Sequence, residues 1–164
     1  MIFVTVGSQK FQFDRLLKAV DQLVADKTID EAVFAQIGYS SYQPLHYPFQ
    51  AFLSREEFAA AESKADIIIT HGGTGAIIGA VKKGKRVIAV PRLARYGEHV
   101  DDHQLQLIEQ FSESNLISSV EHCEDLHAFR QVLQETKTKN YAAYQSNTRE
   151  YLDSISTFIE AAKR

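Results

Sequence analysis

The sequence is poor in cysteine, methionine, proline and tryptophan, with one Cys, one Met, three Pro and no Trp among 164 residues. The single Cys123 excludes an internal disulfide and suits a reducing compartment. An excess of one charge is missing too: 18 Lys and Arg against 21 Asp and Glu leave a formal net charge of -3, which argues against a general nucleic-acid binder. No apolar stretch approaches the ~18 residues needed to cross a bilayer. No charged region precedes the apolar run Ile2–Val6, so the expectation is a soluble cytoplasmic chain without a leader. Repeats, low-complexity tracts and obvious linkers are also lacking, and the length suits a single domain spanning 1–164.

What the chain does have is concentrated between Ala65 and Arg92, in ADIIITHGGTGAIIGAVKKGKRVIAVPR. Asp66 to Thr70 is a β-branched run of the kind that fills a strand buried on both faces of a parallel sheet. His71, Gly72, Gly73, Thr74 and Gly75 stop it, and the glycines permit a sharp turn and a close approach by a ligand. Thr74 is expected to cap a helix beginning near Ala76, Gly84 to end it, and Arg86–Val90 to form the next strand before Pro91. Free N–H groups at that helix start suit a phosphate or pyrophosphate. A glycine turn alone is weak evidence, because many strand-to-helix turns contain one. Here it sits within a full strand, polar loop, helix, Gly-Lys and strand series. The loop matches neither GxxxxGK[ST] nor GxGxxG, which disfavours a P-loop kinase or a standard NAD site.

The same pattern opens the chain. Ile2–Val6 reads as a strand, Gly7 and Ser8 as a polar turn, and Phe13, Leu16, Leu17, Val20, Leu23 and Val24 recur at helical spacing. In open α/β sheets ligands lie outside the carboxyl ends of strands, so this turn and the His71 loop are expected to line one crevice. Ala32–Ile37 is the next strand. Gly38–Pro48, with three tyrosines and two prolines, is an irregular connection whose Tyr39, Tyr42 and Tyr47 either meet a partner or cover the sheet edge. Phe49–Leu53 reads as a strand, and Ser54 with Glu57 as a capping box for a helix over 55–63. A helix carrying Val100, Leu105, Leu107, Ile108 and Phe111, a strand over 116–120 and a helix over 125–135 follow. From Asn140 to Ala162, Tyr141, Tyr144, Tyr151, Leu152, Ile155, Phe158 and Ile159 recur at near-helical spacing, giving a stripe that packs on the chain's own sheet or docks on another subunit. The alternation predicts an α/β fold with a parallel, doubly wound sheet.

His99 and His103 stand four apart with acidic neighbours, which invites a metal reading. HExxH is absent and the sequence offers no clear third ligand, so they are read as surface or ligand-binding residues, with no metal or cofactor assigned. His46, His122 and His127 belong to no constellation and are read as surface residues.

FVTVGSQKFQFDRL, FAQIG, ADIIITHGGTGAI, and GKRVIAVPR followed by GEHVDDHQ resemble the Alg13-like glycosyltransferase subunits, above all bacterial capsule and exopolysaccharide members of the PssE, EpsF and Cps14G type. Those subunits correspond to the nucleotide-sugar-binding C-terminal half of GT-B enzymes such as MurG. The resemblance implies a single Rossmann-like domain that binds a UDP-sugar. It also implies a membrane-anchored Alg14-like partner that presents a lipid-linked saccharide acceptor, and peripheral attachment to the inner face of the cell membrane through that partner. To Gly7, Ser8, His71, Gly72, Gly73, Thr74 and Gly75 it adds Arg92, Glu98, Asp102, His103 and Gln104 as substrate-binding positions, with Gln104 facing the donor. The family's ribose-holding glutamate is replaced by Gly79, leaving Glu98, Asp101 or Asp102 for that role. No residue declares itself as the catalytic base, which in two-domain relatives lies in the other half. A non-enzymatic nucleotide-binding or regulatory module is the alternative; a GT-B epimerase or hydrolase would need both halves in one chain.

Overall fold

Short runs of Ile, Val and Phe build the centre of the protein. The computed structural model describes residues 1–146 and contains six strands, β1 Ile2–Thr5, β2 Val33–Gln36, β3 Phe49–Gln50, β4 Ile67–His71, β5 Arg86–Val90 and β6 Ser118–Ser119. All five pairings are parallel, in the order β3-β2-β1-β4-β5-β6. The helices are α1 Asp14–Ala25, α2 Arg55–Lys64, α3 Thr74–Lys82, α4 His103–Glu113 and α5 Leu126–Thr138. This is the doubly wound order, which reverses between β1 and β4 and leaves a crevice there.

Because side chains alternate along a strand, each central strand feeds two cores. Ile2 and Val4, Ile67 and Ile69, and Ile88 and Val90 pack with Leu16, Val20 and Leu23 of α1 and Phe129 and Leu133 of α5. Phe3, Ile68, Val87 and Ala89 face Ala61 of α2, Ile77 and Ala80 of α3 and Ile108 of α4. Fully burying one such side chain contributes about 1.5–3 kcal/mol. In register, Thr5 lies beside Thr70 and His71 beside Val90, so the loops after β1, β4 and β5 leave the sheet at one height.

The capping box forms as expected, with Glu57 N–H donating to Ser54 Oγ at 3.1 Å and Ser54 N–H to the Glu57 carboxylate at 2.8 Å. The edge strands are shorter than expected. Phe49–Leu53 contracts to Phe49–Gln50, and the strand expected over 116–120 to Ser118–Ser119, since each pairs on one side only. The helix expected from Val100 begins at His103, after a 3-10 turn at Ala94–Tyr96.

The 38–48 connection is irregular, as expected, and is pinned by a buried carboxylate. Asp21 of α1 accepts from the Tyr42 hydroxyl at 2.6 Å and from the Leu45 and His46 N–H groups at 3.0 and 2.9 Å. Tyr42 and Tyr47 therefore turn inward, and Tyr39 remains exposed. Residues 140–146 adopt no regular structure, so a helix does not start at Asn140, and the rest of the expected terminal helix lies outside the described residues. Among the described residues no helix is long and apolar enough to cross a membrane.

Candidate donor-phosphate site at the carboxyl edge of the sheet

The β1 and β4 loops meet at the switch point. Gly7 sits at φ +77°, a conformation that disfavours side chains, and a Cβ there would stand 2.6 Å from His71 Nε2. A Cβ on Gly73 would stand 2.1 Å from His71 Cε1. The His71 ring is thus slotted between two glycines, and this contact explains why both positions lack a side chain. His71 Nδ1 accepts from Gly73 N–H at 3.0 Å, so the neutral ring carries its proton on Nε2. Burial, reinforced by the charges of Arg92 and His99, pushes the His71 pKa down to about 4 and keeps the ring neutral at pH 7.

Gly73, rather than Thr74, is the N-cap of α3, and no side chain caps it. Thr74 is the first helical residue. The first intrahelical bond runs from Ile77 N–H to Gly73 C=O, which leaves Thr74, Gly75 and Ala76 N–H without helical partners. These three donors and the positive end of the α3 dipole face a cavity of about 620 Å³. Its walls bring together the expected Gly7, Ser8, His71, Gly73, Thr74 and Gly75. They also include Thr5, Gln36, Leu53, Ser54, Arg55 and Phe58, which the sequence reading missed. Their signal was positional, at the carboxyl ends of β1 and β2 and the start of α2. Gln36 braces the wall, accepting from Leu53 N–H at 3.1 Å and donating to Gly7 C=O at 3.4 Å. The described lining includes no carboxylate. Beneath the loop, the Thr70 hydroxyl is buried without a hydrogen-bond partner.

Three of the expected ligand groups are turned inward and hydrogen-bonded within the protein. Arg92 is 1% exposed, and its guanidinium donates to the Phe11, Gln12, Glu98 and Val6 carbonyls. Burial pushes its pKa down to about 10. Glu98 is 0% exposed; its carboxylate accepts Arg15 Nε and Nη2 at 3.0 Å each and Leu93 N–H at 2.9 Å, so it is not free for ribose. Gln104 is buried, with Oε1 accepting Gly72 N–H at 2.9 Å and Arg92 N–H at 3.0 Å; it ties the β4 loop to the β5 loop, and its Nε2 lies 3.5 Å from His71 Nδ1. Gly72 is buried above it, where a Cβ would meet Gln104 Cβ at 2.7 Å. Asp102 and His103 stay exposed; Asp102 accepts Ala94 N–H at 2.7 Å, and His103 bonds to Asp101. Near Gly79 the one atom within reach is Glu62 Oε1, 4.0 Å from where a Cβ would stand, on a buried side chain paired with Lys83.

A slightly larger recess, about 660 Å³, opens at the amino edge of the sheet between Lys82–Arg86 and Lys139–Tyr144. Its amino groups are engaged: Lys83 with Glu62, Lys85 with the Ser63 and Ala65 carbonyls, Lys82 against the Tyr144 ring and Lys139 against the Tyr141 ring. Chemistry therefore separates the two cavities where volume does not.

The fold recurs in known glycosyltransferases. A solution structure of ALG13 superposes with a TM-score of 0.61 at 16% identity, covering 94% of this chain and 93% of that one. MurG of Acinetobacter baumannii gives 0.58 at 22% identity, covering 94% of this chain and 49% of that one, and the glycotransferase of kitacinnamycin 0.63 at 15%, covering 84% and 35%. The chain thus spans about half of MurG and about a third of the kitacinnamycin enzyme, but nearly all of ALG13. No curated protein sequence matches it. The sequence profile of the glycosyltransferase family 28 C-terminal domain matches residues 1–163, and the chain belongs to that family.

Proposed function

We propose that the chain is the donor-binding subunit of a two-component inverting glycosyltransferase. It takes a UDP-sugar and, with a membrane-anchored Alg14-like partner, passes the sugar to a lipid-linked saccharide acceptor in bacterial capsule or exopolysaccharide synthesis. The observation that carries this reading is the make-up of the cavity: N–H donors without helical partners, a neutral imidazole with its proton on Nε2, and no carboxylate among the described lining residues.

That set suits a diphosphate and lacks a base. In this reading Thr74, Gly75 and Ala76 N–H and His71 Nε2–H hold the β-phosphate side of the donor and stabilise the charge that builds as UDP departs. Inversion requires the acceptor hydroxyl to lose a proton to a group within hydrogen-bond reach. Of the titratable side chains lining the cavity, Arg55 is a cation and His71 already uses Nδ1 to accept from Gly73. The base, the second wall and the acceptor then come from the facing subunit, which also excludes water.

Purified chain mixed with UDP-sugar and lipid-linked acceptor is expected to transfer little, with activity recovered on adding membranes that carry the partner. Robust transfer by the isolated chain would overturn the two-subunit reading.

A further inference from the structure

We propose that His99, Asp101 and His103 form a binding site for a late first-row divalent cation, with Zn²⁺ the best match. The sequence offered two histidines four residues apart and no clear third ligand; folding brings Asp101 to them. One ring nitrogen of each imidazole and an Asp101 carboxylate oxygen lie within 4.8 Å of one another. His99 Nδ1 is 3.3 Å from Asp101 Oδ1, and His103 Nδ1 hydrogen-bonds to that same oxygen. The carboxylate is fixed from below by His103 N–H at 3.1 Å. The two rings meet edge to face, with centroids 4.8 Å apart.

Zn²⁺ bonds to nitrogen and oxygen of about 2.0–2.2 Å place tetrahedral ligand atoms roughly 3.4 Å apart. The His99–Asp101 pair already has that spacing. The other separations close if the His103 ring, 47% exposed, turns from its hydrogen bond to Asp101. His99 is only 10% exposed and is held against Phe11, with ring centroids 5.3 Å apart, so one ligand is pre-placed and two are open to an arriving ion. Two imidazoles and one carboxylate favour Zn²⁺, Co²⁺ or Ni²⁺; Mg²⁺ and Ca²⁺ prefer sets made wholly of oxygen. Three protein ligands leave a fourth position for water or a ligand oxygen.

The placement gives the ion a task that rests on the donor-site reading. His103 precedes Gln104, the residue that ties Gly72 to Arg92, so the cluster stands at the same carboxyl edge as the phosphate loop. A cation there adds positive charge to the edge that carries the phosphate loop, outside the lining of the cavity itself.

Titrating tag-free chain with zinc chloride alone, by calorimetry, tests the site without any nucleotide. One ion per chain is expected, with Co²⁺ giving the strong visible absorption of a tetrahedral site and Mg²⁺ no binding. Asp101→Asn and His103→Ala, both at exposed positions and checked by melting curves, are expected to weaken Zn²⁺ at least tenfold, while His122→Ala leaves it unchanged. Absence of binding, equal affinity in Asp101→Asn, or loss confined to His122→Ala would overturn the site. UDP binding measured in zinc-free buffer reports on the donor site separately, so either idea can fail alone.

Discussion

The two edges of the sheet make opposite use of similar resources. At the amino edge, a recess of about 660 Å³ gathers Lys82, Lys83, Lys85, Arg86 and Lys139, and four of these cations are already engaged by Glu62, by backbone carbonyls or by tyrosine rings. At the carboxyl edge, a cavity of about 620 Å³ has one cationic side chain in its wall, Arg55, but three helix-terminal N–H groups without helical partners and a neutral His71. Counting charge or volume favours the amino edge, whereas the proposed donor site lies at the carboxyl edge. What marks a phosphate site is donors left without partners at a helix start, where the fold offers no way to satisfy them.

The largest effect expected from separating structural from ligand-facing groups is at Glu98. With side-chain exposures of 12% and 0%, Arg15 and Glu98 form a buried pair, and Glu98→Ala takes the acceptor from Arg15 Nε and from Leu93 N–H, leaving Glu124 as the carboxylate still paired with Arg15. A loss of about 3–5 kcal/mol is expected in denaturant unfolding. A variant as stable as the parent but weaker for UDP would return Glu98 to the ligand wall.

Acid should distinguish the edges next. His71 has a folded pKa of about 4 against an ordinary 6.5, so the unfolded chain takes up a proton that the folded chain refuses. Stability from this group is complete above about pH 6.5 and is lost as pH falls from there toward 4, by up to about 3 kcal/mol. Replacing His71 by Gln should flatten that slope in unfolding curves recorded across the window; an unchanged slope would place the acid-sensitive group elsewhere.

Third is the pair Gly73→Ala and Gly75→Ala. The first puts a Cβ 2.1 Å from His71 Cε1, and the ring has no retreat because Gly7 closes its other side; the second meets nothing within 4 Å. UDP affinity measured by calorimetry should fall more than tenfold in Gly73→Ala, about 1.4 kcal/mol or more. Gly75→Ala should fold at least as stably as the parent, since Ala is favoured in a helix by up to about 1 kcal/mol. Equal UDP affinity in Gly73→Ala and parent would refute the slot. The smallest effect is expected from Lys82→Ala, with UDP affinity within twofold of the parent and stability within about 0.5 kcal/mol. A larger loss of UDP binding would favour the amino edge.

The sheet and its crevice were legible because buried parallel strands read as continuous apolar runs and glycine punctuates the loops between them. Gly7 and the His71–Gly75 loop could be placed for that reason. The roles of Arg92, Glu98 and Gln104 were not legible, since charged and amide side chains give no sign in one sequence of whether they face a ligand or bond to carbonyls and N–H groups of distant loops. Arg15 meets Glu98 across 83 positions. Thr74 was misassigned as a cap because its hydroxyl suits that role, yet Gly73 takes the capping backbone position so that the loop can pass over His71. The sequence reading counted Asp101 among the acidic neighbours of His99 and His103 without bringing it against both rings, because side-chain convergence in a turn depends on backbone angles that residue spacing does not determine.

Titration of ¹⁵N-labelled chain with UDP tests the central claim most directly, because each edge carries its own amides. The account predicts that the largest shifts fall on Gly7, Ser8 and Gly72 to Ala76, with Lys82 to Arg86 and Lys139 to Tyr144 little moved. Shifts concentrated on the lysine recess, with the His71 loop silent at saturation, would contradict it.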